Sequence, residues 1–129
     1  MTVRPATFDE HLSVMRIVDG AMLEADANEV KKRIEAGTVL VAEEEGRILG
    51  TGVLEPRDSG AHIDAIAVLR ARRAQGIGRE LVETAGERYG RLTAEFESTV
   101  RPFYESLGFD IESVEGNEGR LRGTLEREH

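Results

Sequence analysis

The chain has 129 residues, enough for one domain at roughly 100 to 200 residues each, and its 40% hydrophobic and 33% charged composition excludes a disordered polymer. A net charge of −8, from 25 acidic against 17 basic residues, argues against a nucleic-acid or anionic-membrane surface, which would need a basic excess. With no cysteine, disulfides and thiolate chemistry are excluded, and with only His11, His62 and His129 scattered along the sequence no zinc or other metal site is expected.

Val3 and Pro5 suggest a short opening strand, followed by Thr7-Phe8-Asp9-Glu10 with the spacing of a capping box. Leu12, Met15, Val18 and Met22 then share one helical face. Asp26-Ala27-Asn28-Glu29 opens a second helix through Ile34, which Gly37 can end. Thr38 to Glu43 and Ile48 to Glu55 read as a hairpin around Glu44-Glu45-Gly46-Arg47, and Pro56 to Gly60 is another turn. His62 to Leu69 is the most apolar stretch and reads as a central strand. A helical stripe of Ile77, Leu81, Val82 and Ala85 runs to about Tyr89, and Thr93 to Glu97 alternates as a strand does. A short helix with Pro102 in its first turn and Gly108 past its end follows, then strands around Phe109 to Val114 and Arg120 to Leu125. The order is β-α-α-β-β-β-α-β-α-β-β, a mixed sheet covered by helices of the α/β or α+β class, with no internal repeat or linker. No apolar run approaches the ~20 residues that cross a bilayer, and the N-terminus has no secretory apolar segment, so a cytoplasmic protein without a membrane partner is expected.

The junction Arg70-Ala71-Arg72-Arg73-Ala74-Gln75-Gly76-Ile77-Gly78-Arg79 has no Ser, Thr, Asp or Asn to cap its helix. Gly76 and Gly78 instead bare the backbone, and four arginines crowd one turn of an acidic chain. Free N–H donors, the positive end of a helix dipole and local cations make an anion site; a glycine-softened turn with solvated arginines is the other reading. A Walker loop would need a lysine, and a dinucleotide fingerprint a third glycine, and neither is present.

Arg73-Ala74-Gln75-Gly76-Ile77-Gly78 resembles the Gln/Arg-x-x-Gly-x-Gly/Ala signature of the GNAT superfamily of acetyl-CoA-dependent N-acyltransferases, and it follows Ile66-Ala67-Val68 as in that family. Val100-Arg101-Pro102-Phe103-Tyr104-Glu105-Ser106-Leu107-Gly108-Phe109 resembles the family's Ala-x-x-Phe-Tyr-x-x-x-Gly-Phe segment, with Val100 for the Ala and Glu97 where an Asn is frequent. The resemblance covers essentially the whole chain and implies a GNAT-like, mostly antiparallel sheet of six to seven strands with about four helices. It implies acetyl-CoA as acyl donor, held by Ile66, Ala67, Val68 and the loop Arg73, Ala74, Gln75, Gly76, Ile77, Gly78 and Arg79, with the Val68 N–H facing the thioester oxygen. It also implies Tyr104 as acid toward the leaving thiolate and a small-molecule or protein amine as acceptor. A homodimer is a further expectation.

An alkylamine titrates near ~10 and must lose a proton before attack, for which histidine is the natural base. Strict alternation would put His62, Asp64, Ile66 and Val68 on one face, making His62 the base and Asp64 its orienting partner or the ammonium's; a strand-end His62 and an arginine-paired Asp64 are the alternative. The alternative for Tyr104 is a packing residue. The carboxylates of Met22-Leu23-Glu24-Ala25-Asp26 could greet a cationic amine or simply form a solvated, capped loop. A coenzyme-binding module without turnover is the rival function.

Overall fold

The computed structural model of the chain describes residues 1–20 and 26–127. Strand β1 (Thr2–Pro5) precedes helices α1 (His11–Gly20) and α2 (Ala27–Glu35); β2 (Val39–Glu44), β3 (Arg47–Arg57) and β4 (Gly60–Val68) form a meander. Then follow α3 (Ile77–Tyr89), β5 (Arg91–Glu97), α4 (Arg101–Ser106), β6 (Asp110–Ser113) and β7 (Arg120–Glu126). The element order matches the one expected. The seven strands form one sheet ordered β1-β2-β3-β4-β5-β7-β6, antiparallel except where β4 meets β5.

The sheet is packed on both faces. α3 lies on one, where Ile77, Leu81, Val82 and Ala85 meet Leu40, Leu49, Leu54, Ile63, Leu92, Ala94 and Phe96. On the other face α1 and α2 bury Val14, Ile17, Val18, Val30 and Ile34 against Val39, Val41, Val53, Ala65 and Ala67. The α1 stripe differs from expectation: Leu12 is 76% exposed and the buried face is Val14, Ile17 and Val18. Leu12 stands two residues, about 200°, around the helix from Val14, so both cannot face the sheet; Met22 lies outside the described residues.

Thr7 and Glu10 open a 3₁₀ turn before α1, with the Glu10 carboxylate accepting the Thr7 N–H at 2.8 Å. Asp26 caps α2 by accepting from the N–H groups of Asn28 and Glu29. β3 runs two residues further than expected, through Pro56 and Arg57, which pair with Ala61 and Gly60. Gly60 sits at φ 141°, and a Cβ there would stand 2.1 Å from the Arg91 carbonyl oxygen, so the crossing onto β5 requires glycine. Among the described residues no helix is long and apolar enough to cross a membrane.

Candidate active site

β4 and β5 are paired only at Ala61 with Leu92, His62 with Thr93 and Ile63 with Ala94. Beyond Ile63 they part, and residues 64–68 of β4 have no β5 neighbour. The parting coincides with a bulge. On the β3 side Val53 pairs with Ala65 and Leu54 with Ile63, leaving Asp64 as the extra residue. The bulge breaks the alternation expected for His62, Asp64, Ile66 and Val68. Ile66 and Val68 join the core on the α3 face, while Ala65 and Ala67 belong to the α1/α2 core. Ile63 faces α3, so its neighbours His62 and Asp64 stand on the opposite face from Val68.

This geometry frees backbone donors. Leu69 N–H donates to Leu49 O at 2.9 Å, and antiparallel ladders alternate between bonded and non-bonded pairs. Val68, opposite Gly50, and Ile66, opposite Gly52, are therefore non-bonded positions whose N–H groups point away from β3, into the gap that β5 has left. The gap is part of a cleft of about 1060 Å³ lined from Asp64 to Val68, along the loop to Arg79, and by Glu95, Phe96, Glu97, Phe103, Tyr104 and Arg120.

At one end of the cleft a 3₁₀ turn, Arg70–Arg72, leads into Ala74 at φ 63° and Gly76 at φ 84°, which bring the chain onto α3 with no side-chain cap. The first intrahelical bond runs from Glu80 N–H to Gly76 O. The N–H groups of Ile77, Gly78 and Arg79 thus precede the ladder and face outward, as an anion-binding terminus requires. A Cβ on Gly76 would meet nothing within 4 Å, and a Cβ on Gly78 would meet the Phe103 ring at 3.1 Å. The arginines are less free than their crowding suggested. Arg72 pairs with Glu44 at 2.6 Å and holds Gln75 at 2.9 Å; Arg73 donates to the Val68 carbonyl at 3.2 Å; Arg79 bonds Glu83 and the Ser106 carbonyl. Arg72, Arg73 and Arg79 nevertheless line the cleft, whereas their partners Glu44 and Glu83 do not, so this end presents cations. A pyrophosphate fits it on three counts: uncapped donors, arginine heads, and open space over Gly76.

Pro102 starts α4 and aims Phe103 and Tyr104 at the cleft. Tyr104 is packed in the core, at 7% exposure, and still lines the cleft. It stacks on Phe96 (centroids 4.1 Å apart) and meets Phe103 and Phe109 edge-on at 5.0 and 5.2 Å. Burial pushes its hydroxyl up to about 12, so it carries its proton at any physiological pH.

At the other end His62 Nδ1 lies 2.8 Å from Thr93 Oγ1, and burial, with Arg57 nearby, pushes its pKa down and leaves it neutral at pH 7. Asp64 Oδ2 forms an ion pair with Arg33 NH1 at 2.8 Å; burial pushes its carboxyl up, and Arg33 opposes that. His62 does not line the cleft, whereas Asp64 does. Glu97, at the position of the expected Asn, pairs with Arg120 at 3.0 Å. The residues that sequence reasoning missed are Arg33, Thr93, Glu95, Phe96 and Arg120. The alternation of Thr93 to Glu97 contained a signal for Thr93 and Glu95 on one face and Phe96 on the other; Arg33, in Lys31-Lys32-Arg33, reads as a solvated run. Residues 22–25, considered for acceptor contacts, lie outside the described residues.

A parted parallel pair inside a mostly antiparallel sheet, with an uncapped helix end at its mouth, makes one cleft with a cationic, donor-rich end. The family model for the acetyltransferase (GNAT) domain matches residues 35–111, more than half of the chain, and the protein belongs to that family. The domain is that of an acetyltransferase. Solved structures with the same fold include Rv2747 from Mycobacterium tuberculosis in complex with CoA and NLQ, at TM-score 0.82 and 18% identity over 98% of this chain and 99% of that one. PaiA N-acetyltransferase from Thermoplasma acidophilum in complex with coenzyme A gives TM-score 0.82 and 11% identity over 97% and 98%. Ribosomal-protein-alanine N-acetyltransferase from Brucella melitensis gives 0.73 and 24% over 98% and 99%. No curated protein matches the sequence.

Proposed function

We propose that this protein moves an acetyl group from acetyl-CoA to a primary amine by direct attack in a ternary complex. The observation that carries the reading is the coincidence of the parted β4–β5 gap, with the Val68 N–H turned into it, and the uncapped α3 terminus at its mouth. The pyrophosphate lies on the N–H groups of Ile77, Gly78 and Arg79, and Arg73 and Arg79 flank it. The thioester then runs along Ile66, Ala67 and Val68.

The neutral amine nitrogen attacks the carbonyl carbon, a C–N bond forms, and negative charge gathers on oxygen, where the Val68 N–H donates. The C–S bond breaks as the carbonyl reforms, and the nitrogen loses a proton to water or to neutral His62 acting through water. Free coenzyme A thiol ionises near ~8.5. Full proton transfer to it from a tyrosine near 12 is uphill by on the order of 4–5 kcal/mol, so Tyr104 serves as a hydrogen-bond donor to the departing sulfur, and the proton that the nitrogen releases ends on the thiolate by way of solvent.

The acceptor is an amine that carries further positive charge. Asp64, Glu95 and Glu97 line the far end of the cleft, while Arg33 and Arg122, partners of the first two, stand behind it. The names of the Thermoplasma and Brucella neighbours both specify acetylation at nitrogen. The test is release of free thiol from acetyl-CoA across a panel of diamines, amino acids and peptides. Thiol release is expected with cationic amines. Acetyl-CoA binding without release under any amine would make the protein a coenzyme-binding module instead, and preference for an acidic acceptor would overturn the acceptor class.

A further inference from the structure

Arg33 belongs to an exposed basic run in sequence, yet its side chain is only 14% exposed and is fully engaged. NH1 donates to Leu54 O at 2.7 Å and forms an ion pair with Asp64 Oδ2 at 2.8 Å; NH2 donates to Glu55 Oε2 at 3.0 Å and Nε to Glu29 Oε1 at 3.2 Å. Leu54 and Asp64 are the two sides of the β4 bulge. Leu54 is the last β3 residue paired before the irregularity, and Asp64 is the residue without a β3 partner.

The backbone closes the same circuit. Thr38 N–H donates to Arg33 O at 2.9 Å, Leu54 N–H donates to Thr38 O at 3.0 Å, and Arg33 NH1 returns to Leu54 O. Helix α2 is thereby stitched at one point to the strand position where β4 leaves β5.

The geometry points to Arg33 as a positioning residue for acyl transfer, one that fixes the bulge and so sets where the Asp64 carboxylate and the Ile66–Val68 backbone stand in the cleft. This rests on the acyl-transfer reading. Arg33 is absent from the cleft lining and reaches it only through Asp64. A guanidinium suits the task because its planar fork reaches a carbonyl and two strand carboxylates at once, which an ammonium cannot do. Its removal leaves the buried Leu54 carbonyl without this donor and the Asp64 carboxylate without its counter-charge, and the bulge is the part of the strand free to relieve that.

The experiment compares Arg33→Met with the wild-type full chain for acetyl-CoA affinity by calorimetry and for kcat and KM with the best amine. Expected are an acetyl-CoA affinity within two-fold, because the α3 loop lies at the other end of the cleft, and a kcat at least ten-fold lower. Arg33→Lys, which keeps the cation and loses the fork, should recover part of that rate. Adding Asp64→Asn to Arg33→Met should lower kcat little further, since the two act as a unit. A folded Arg33→Met with kcat within two-fold of wild type overturns the inference, as does an acetyl-CoA affinity that falls in step with kcat. Should Arg33→Met fail to fold, wild-type kinetics in Arg33→Lys overturn it equally. A wild-type chain that binds acetyl-CoA and releases no thiol overturns acyl transfer itself, whereas turnover unchanged by either Arg33 variant overturns only this role.

Discussion

Tyr104 illustrates how a single environment selects among the roles open to one side chain. Packed on Phe96 and edged by Phe103 and Phe109, it holds its proton firmly, and in the proposed reaction it serves as a hydrogen-bond donor. Tyr104→Phe keeps the ring stack, so thermal stability and acetyl-CoA affinity should stay near wild type while kcat falls by roughly 10- to 100-fold at nearly constant KM, the pattern of an interaction made in the transition state. Single-turnover rates check it; equal rates would leave the tyrosine a packing residue. Gly76 offers the complementary test on the donor side. Its φ of 84° and the empty space around it let Gly76→Asp fold at a conformational cost of about 1 kcal/mol, and the new carboxylate would face the pyrophosphate. Calorimetry should then record acetyl-CoA binding weaker by at least ten-fold, about 1.4 kcal/mol. Both residues were legible in the sequence because each lies in a short local pattern: an uncapped glycine turn, an aromatic pair one step past a helix-opening proline. His62 was misplaced because its facing depends on a bulge, and a bulge is set by how β4 registers on β3, which no window of β4 alone contains.

At the scale of elements, the N-terminal strand is held by charge as much as by its ladder. Arg4 bonds Glu10 at 2.8 Å and Glu43 at 2.7 Å, tying β1 to the turn before α1 and to β2. The Arg4 guanidinium holds the Glu10 carboxyl well below its ordinary 4.5, at about 2. A carboxyl lowered on folding stabilises fully above its unfolded value and loses that contribution as pH falls toward the folded one. Glu10→Gln should therefore lower stability by about 1 kcal/mol at pH 7, the modest worth of a partly exposed ion pair. The gap between the two melting curves should close between pH 4.5 and 2; a gap independent of pH would mean that the glutamate acts through its N–H contact with Thr7 alone. The element order was readable because caps and periods are local: Asp26 announces α2, and the Ile77–Leu81–Val82–Ala85 stripe announces α3. The α1 stripe was misread because two overlapping apolar sets, one through Leu12 and one through Val14, fit the same period, and only the sheet beneath the helix chooses between them.

Across the whole molecule, the sheet consists of two parts, β1 to β4 and β5-β7-β6, joined edge to edge by three residue pairs and bridged by α3. The strand order could not be read from the chain, because β5 inserts beside β4 and β7 inserts between β5 and β6, both choices made by long-range packing. That narrow seam has a consequence for the protein's fluctuations. Each part is laced internally by longer ladders, so opening at the seam disturbs fewer backbone bonds than opening anywhere within a part. Native-state hydrogen exchange should therefore resolve two cooperative units, with amides of β5, β7 and β6 exchanging together at a lower opening free energy than those of β2 and β3. A donor lying in the parted gap touches both units, Val68 on one bank and Tyr104 on the other. Saturating acetyl-CoA should slow exchange in the β5-β7-β6 unit most, drawing the two rates together, and a uniform slowing of both would show that the sheet opens as one. Under the proposed reading, the place where the strands fail to pair is where the ligand completes the fold.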